Sequence, residues 1–359
     1  MARGTAGDFE TRGLKAIDKP GGDAHACAST ASSWGNTLRL RIVVGLLLTA
    51  AILAVPDHDV FGSSFTIDST VDDVDANPGD GSCATAGGEC TLRAAVLETN
   101  ALPGPDTIGL DFATYTLAIT GAGEDASATG DLDIADDLTL VGGKIISETT
   151  GGALIGPGAT IDGGGIDRVL HILGDVTVEI SGVVIQNGLA AGAFDPNTFE
   201  LGDGGGIFSG SGATLTLTKS AVKDNNAALN GGGVINAGTL TMIDAWASGN
   251  SAGHAVESAG GAGIANSGKA TLIRTTVNVN SSGLSAGGIL NAGSLELIES
   301  SIENNSAAAF GGGIWSGGTL TVKNNFISGN TVGIDTFPEG AGGGIYNLGT
   351  LAITGTTVT

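Results

Sequence analysis

Apolar and polar residues alternate in short bursts through the second half of the chain. The bursts read LTL from Leu215, LTM from Leu240, ATL from Ala270, LEL from Leu295, LTV from Leu320 and LAI from Leu351. Ahead of them stand GGGIF, GGGVI, GAGIA, AGGIL, GGGIW and GGGIY, which place Ile207, Val234, Ile264, Ile289, Ile314 and Ile345 at steps of 27, 30, 25, 25 and 31 residues. A step of two is the periodicity of a strand, whereas a helix would repeat its apolar positions at i, i+3, i+4 and i+7. Strands of three to five residues bounded by Gly, Asn and Ser do not persist alone. A recurring period near 25 residues instead predicts a solenoid in which each repeat is one turn of a coil.

In such a coil, equivalent strands pair in parallel about 4.8 Å apart and equivalent side chains lie over one another. Leu215, Leu240, Ala270, Leu295, Leu320 and Leu351 are expected to form one inward column. Leu217, Met242, Leu272, Leu297, Val322 and Ile353 form the next. Ten residues after the start of each of the first five bursts comes an asparagine: Asn225, Asn250, Asn280, Asn305 and Asn330. These are expected at left-handed corners, with their amides bonded from rung to rung. A second polar column is expected at Ser209, Asn236, Asn266, Asn291, Ser316 and Asn347. The leucine-rich L-x-x-L-x-L pattern and a recurring G-G-x-G-x-D calcium repeat are both missing, so the predicted fold is an all-β, right-handed parallel β-helix of the pectate-lyase-like kind.

Upstream, DLTLVGG at Asp137, ATIDGGGIDRVLHI at Ala159 and VTVEISGVVIQNG at Val176 read as less regular rungs. CTLRAAVLETNAL, Cys90 to Leu102, places Leu92, Ala95, Val96 and Thr99 on one face at helical spacing. A short helix there would cap the open end of the coil. The stretch DDVDANPGDGSCATAGGECTLRAAVLETNA resembles the CSLREA-type amino-terminal domain that precedes parallel β-helices of exported bacterial proteins, with CTLRAA differing at Thr91 and Ala94. The GGGI and Asn repeats are more distantly similar to those of polymorphic outer-membrane proteins and other autotransporter passengers. The resemblance spans Phe65 to Thr359 and implies surface display or secretion, with no fixed catalytic residues.

Composition fits this organisation. Of 359 residues, 63 are glycine and only 8 are proline, without a G-X-Y period, so glycine serves backbone geometry and the chain is not collagen. Fourteen basic residues against 37 acidic ones give a net charge of −23, which disfavours nucleic acid and anionic membrane as partners. Arg39 and Arg41 precede a mostly apolar run, Ile42 to Val55, too short for a comfortable membrane span and suited to a secretory signal; a retained anchor is the other reading. Residues 1–64 are therefore a leader, 65–105 a capping segment and 106–359 the β-helix, regular from 204. In an exported chain the pair Cys83 and Cys90 reads as a local disulfide, while two thiols without a nearby histidine supply only half of a tetrahedral zinc shell. The chain stops at Thr359, short of a sixth corner asparagine and without a polar cap. The expectation is a truncated chain, or a last rung that is frayed or paired with a partner.

Chemistry is sparse in this pattern. Outward strand positions offer mostly Thr, Ser, Ala and Asn, and the scattered charges do not stack into a paired acid and base. His171 in RVLHIL is expected to be packed or hydrogen-bonded. G-x-S-x-G occurs around Ser251 and Ser285, but at glycine-rich corners and not between a strand and a helix. Asp73, Asp75 and Asn77 resemble the start of a Ca²⁺ loop, yet Pro78 and Ala84 occupy the positions of its glycine and its bidentate glutamate, leaving a solvated acidic turn as the stronger reading. Insertions at one phase of the coil carry Asp195, Glu200, Asp203, His254, Glu257, Asp335 and Glu339, a candidate recognition edge beside the plainer reading that corners tolerate length. The expected function is an exported, secreted or cell-surface scaffold, adhesive or structural and non-catalytic, with polysaccharide or a host or neighbouring cell surface as partner. A carbohydrate-active β-helix enzyme is the alternative.

Overall fold

The computed structural model describes residues 62–143, 158–192, 202–253, 260–333 and 341–359. The apolar run Ile42 to Val55 lies outside them, and among the described residues no helix is long and apolar enough to cross a membrane. Those residues form a parallel β-helix of four sheets, with ten, nine, eight and six strands. The register follows the sequence repeat. Ile207, Val234, Ile264, Ile289, Ile314 and Ile345 pair in succession, and so do Leu215, Leu240, Ala270, Leu295, Leu320 and Leu351.

Because strand side chains alternate, this register drives one set of aliphatics inward on every rung. Leu138, Val178 and Leu215 continue the first column upstream, and Ile108, Leu140, Ile180 and Leu217 the second. All of these are buried in one contiguous core. Each buried aliphatic contributes on the order of 1.5–3 kcal/mol relative to exposure. The last rung obtains much less, since Leu351 and Ile353 are 39% and 44% exposed.

The asparagine column at the corner is a complete hydrogen-bonding unit. Asn280 Oδ1 accepts from the backbone N–H of Asn250 at 2.9 Å and from its Nδ2 at 3.0 Å. Asn280 Nδ2 in turn donates to Ala247 O and to Asn305 Oδ1, both at 2.9 Å. The same bonds join Asn225 to Asn250 and Asn305 to Asn330. In the second column, Nδ2 of Asn236, Asn266 and Asn291 donates in turn to Asn266, Asn291 and Ser316. The third glycine of GGGI faces the first ladder: a Cβ at Gly263 would stand 2.9 Å from Asn280 Nδ2, and one at Gly288 3.0 Å from Asn305 Nδ2. Glycine and asparagine recur together because each leaves room for the other.

One expectation is corrected at this corner. The left-handed residue is the one before the asparagine: Asp224, Gly249, Val279, Asn304 and Gly329, with φ between 53° and 66°. The ladder amide must point inward along the coil, so the reversal falls on its outward-facing predecessor. Val279 is the costly member, a β-branched side chain at φ 57°.

The amino-terminal end is closed by Ser64–Thr66, which pairs with Thr107 to Gly109, and by the helix Leu92–Ala101, packed on Asp106–Leu110 and Leu132–Ile134. Thr91 caps the helix, accepting from Ala94 N–H at 3.1 Å. The predicted face of Leu92, Ala95, Val96 and Thr99 is buried, and so are Arg93, Ala94 and Glu98. Cys83 and Cys90 are joined by a disulfide in the loop before the helix.

Two neighbouring substitutions separate ladder from corner. Asn280→Ala removes four side-chain hydrogen bonds and should lower stability by about 3 kcal/mol, against about 0.5 kcal/mol or less for the exposed Ser281→Ala. Val279→Asn, which gives this rung the residue found at the equivalent Asn304, should raise stability by about 1 kcal/mol. Urea denaturation midpoints of the variants check both.

Candidate functional site

Of the seven residues of the insertion edge, Asp195, Glu200, His254, Glu257, Asp335 and Glu339 lie outside the described residues. Asp203 does not sit on an exposed edge. It is buried, and its Oδ1 accepts from Asn230 N–H at 2.7 Å and Asn230 Nδ2 at 3.1 Å, so the carboxylate joins two rungs. In the acidic turn Asp73 and Asn77 are exposed, as a solvated turn requires, but the third member is spent internally. Asp75 is buried, with Oδ1 accepting from Asn77 N–H at 2.8 Å and Oδ2 from Ala84 N–H at 2.9 Å.

The insertions rejoin the coil at 202, 260 and 341, immediately before strands of the eight-stranded sheet. The outward column of that sheet runs Asp133, His171, Phe208, Ile235, Ala265, Leu290, Trp315 and Tyr346. From Phe208 onward it is apolar or aromatic, and its members other than Ala265 are half-buried. Phe310, bridged to Ser285 and Ala341 beside it, packs on Tyr346 with ring centroids 5.0 Å apart.

At the amino-terminal end the same column turns polar and is covered. Arg93, fully buried, holds the cover in place with all five N–H groups. Its Nε and Nη2 pair with Asp72 at 2.7 and 3.2 Å, and its Nη1 and Nη2 donate to the carbonyls of Ser127, Asp131 and Gly130. Burial pushes the Asp72 carboxyl up, but Arg93 and the N–H groups of Ala118 and Ile119 outweigh it and hold the acid below its ordinary range. Under this cover His171 Nδ1 lies 3.1 Å from Asp133 Oδ1 and 3.6 Å from Asp125 Oδ1, with its ring edge-on to Phe208 at 5.0 Å. The packed, hydrogen-bonded setting expected for His171 is what the fold provides.

Beside it, Arg168 Nε is 2.7 Å from Asp131 Oδ2, a charge contact without hydrogen-bond alignment, and the guanidinium lies over the Phe208 ring at 5.4 Å. Burial drives Asp131 up to about 8 against the pull of Arg168, with Asp133 and Asp167 adding to the rise. Burial also raises Asp167, against the pull of the Arg168 N–H and guanidinium. Asp203 is raised by burial to about 6, opposed by the Asn230 donors and Arg168. Sequence reasoning found His171 but missed Asp131, Asp133, Asp167 and Arg168. The available signal was the acidic pair two residues apart in GDLDI and the DR of GGGIDRVLHI, where other rungs carry no such charges.

A carboxyl with a raised native pKa binds more protons folded than unfolded, so its stabilising contribution is present below the unfolded value and lost as pH rises through the native one. For Asp203 that window runs from about 4 to about 6. Asp203→Asn keeps an acceptor for Asn230 and should match the native chain near pH 4 while exceeding its stability by about 2–3 kcal/mol above pH 6. Thermal or urea unfolding across that range reads the difference. No family model, curated protein or solved structure matches the chain, and the chemistry of these sites rests on their geometry.

Proposed function

We propose that the chain is an exported, secreted or surface-displayed β-helix scaffold with an adhesive role, whose binding face is the outward column of the eight-stranded sheet. The observation that carries this is the unbroken run from Phe208 to Tyr346, apolar or aromatic on six successive rungs and half-buried at every one but Ala265, whereas the exposed Trp246 and Phe326 of the nine-stranded sheet are separated by Thr276 and Ser301. Trp and Tyr supply large, rigid contact area that retains a polar tip, which suits repeated contact with sugar rings or with a cell-surface polymer. The described chain resumes after the insertions at 202, 260 and 341, ahead of strands of this sheet, and the inserted residues would add selectivity to it. The resemblance of the 65–105 segment to CSLREA-type domains supports export and display.

The test is binding of the purified chain to a panel of acidic and neutral polysaccharides by affinity electrophoresis. The same mixtures are assayed for reducing ends and unsaturated products, with and without Ca²⁺. Retardation by at least one polymer, weakened about tenfold by Trp315→Ala combined with Tyr346→Ala and without product formation, is expected. Sustained turnover would replace this reading with a carbohydrate-active enzyme.

A further inference from the structure

We propose that His171, Asp133 and Asp125 form a binding site for a divalent cation of the zinc type, built into the amino-terminal end of the coil. Each residue offers one donor atom, and the three lie within 4.8 Å of one another. His171 Nδ1 is 3.1 Å from one carboxylate oxygen and 3.6 Å from the other. Donors at about 2.0–2.1 Å from a tetrahedral ion are separated by roughly 3.3–3.4 Å, so the observed spacings bracket what such an ion requires. One imidazole and two carboxylates suit Zn²⁺, Co²⁺ or Mn²⁺, whereas Ca²⁺ asks for six or more oxygens.

The donors are held before any ion arrives. Asp133 and His171 are register partners on adjacent rungs, which fixes their separation by the sheet itself. The second oxygen of Asp133 accepts from Ser127 N–H at 2.8 Å, leaving Oδ1 directed to His171. Asp125 comes from the covering loop that Arg93 pins by the carbonyls of Ser127 and Gly130. Such outer partners orient metal ligands.

Buried carboxyl oxygens without hydrogen-bond partners are the independent observation. Arg93 is committed to Asp72, and among the described residues Arg168 is the cation paired with this buried group, in which the Oδ2 atoms of Asp131 and Asp167 lack a hydrogen-bond partner. Asp133 adds a third buried carboxylate to that group. Buried carboxyl oxygens left without a donor are rare in folded proteins, and a cation held at the neighbouring Asp133 would give this cluster a positive partner. Asp125, 65% exposed on its side chain, leaves the entry side and the remaining coordination position open to water.

The experiment uses the full chain, stripped with a chelator and exchanged into metal-free buffer. Titration with ZnCl₂ by calorimetry is paired with Co²⁺ absorption spectra, with MgCl₂ and CaCl₂ as controls. The native chain is expected to bind one Zn²⁺ and to show Co²⁺ ligand-field bands. Asp125→Asn, at the exposed rim, is expected to keep the metal-free melting temperature and to weaken Zn²⁺ binding at least tenfold. Absence of stoichiometric Zn²⁺ binding, or equal affinity in Asp125→Asn, overturns the proposal.

Discussion

Everything in this fold depends on equivalent side chains lying one rung apart along the coil. That constraint is severe for polar groups, because a buried amide must find its partners in the rung above and the rung below. The Asn225 to Asn330 column meets it by repetition: at Asn250, Asn280 and Asn305, Oδ1 takes two donors from the preceding asparagine, and Nδ2 returns one bond to the preceding rung and one to the next. An amide satisfied on both sides ties neighbouring rungs in register, since a slip of one residue would strand it in the core. The glycine clusters follow from the ladder, as the backbone at Gly263 and Gly288 must pass where a Cβ would meet the amide.

A structure made by repetition has a problem at its beginning, where, among the described residues, the first rung has no predecessor. Here the solution is a helix and a covering loop, and the cost of the solution is buried polarity. Arg93 reaches from the helix into carbonyls that no strand can pair, and Glu98 accepts from the N–H groups of Gly79 and Gly81. The covering loop also roofs outward positions that would face water elsewhere in the sheet, which is why Asp133 and His171 are buried while the equivalent Trp315 and Tyr346 remain partly exposed.

The sequence made the repeating part of this legible and the unique part obscure, for the same reason. Equivalent positions report on one another, so the inward columns, both polar ladders and the strand register could be read from spacing alone. The left-handed step could not be placed on Val279 by that route, because five different rungs put Asp, Gly, Val, Asn and Gly there. Asp203 read as exposed because it follows an insertion, and only the contact with Asn230 shows it inside. Asp133 and His171 stand 38 residues apart across irregular loops, and no period connects them. The helix was visible from its apolar face, but the burial of Arg93 beside that face depends on carbonyls contributed from residues 127–131.

This division bears on where function can reside. A rung position occupied by interchangeable residues contributes stability in proportion to the number of rungs and distinguishes no ligand. Selectivity needs positions that differ from their equivalents in size, charge or exposure. The eight-stranded sheet supplies both kinds in one outward column: a polar, covered end at Asp133 and His171, and an aromatic, open end at Trp315 and Tyr346. The covered end has fixed nitrogen and oxygen donors, which suit a small cation; the open end has flat apolar area, which suits an extended polymer. A single parallel sheet thus spaces two unlike surfaces along one axis, and the rungs between them set the distance.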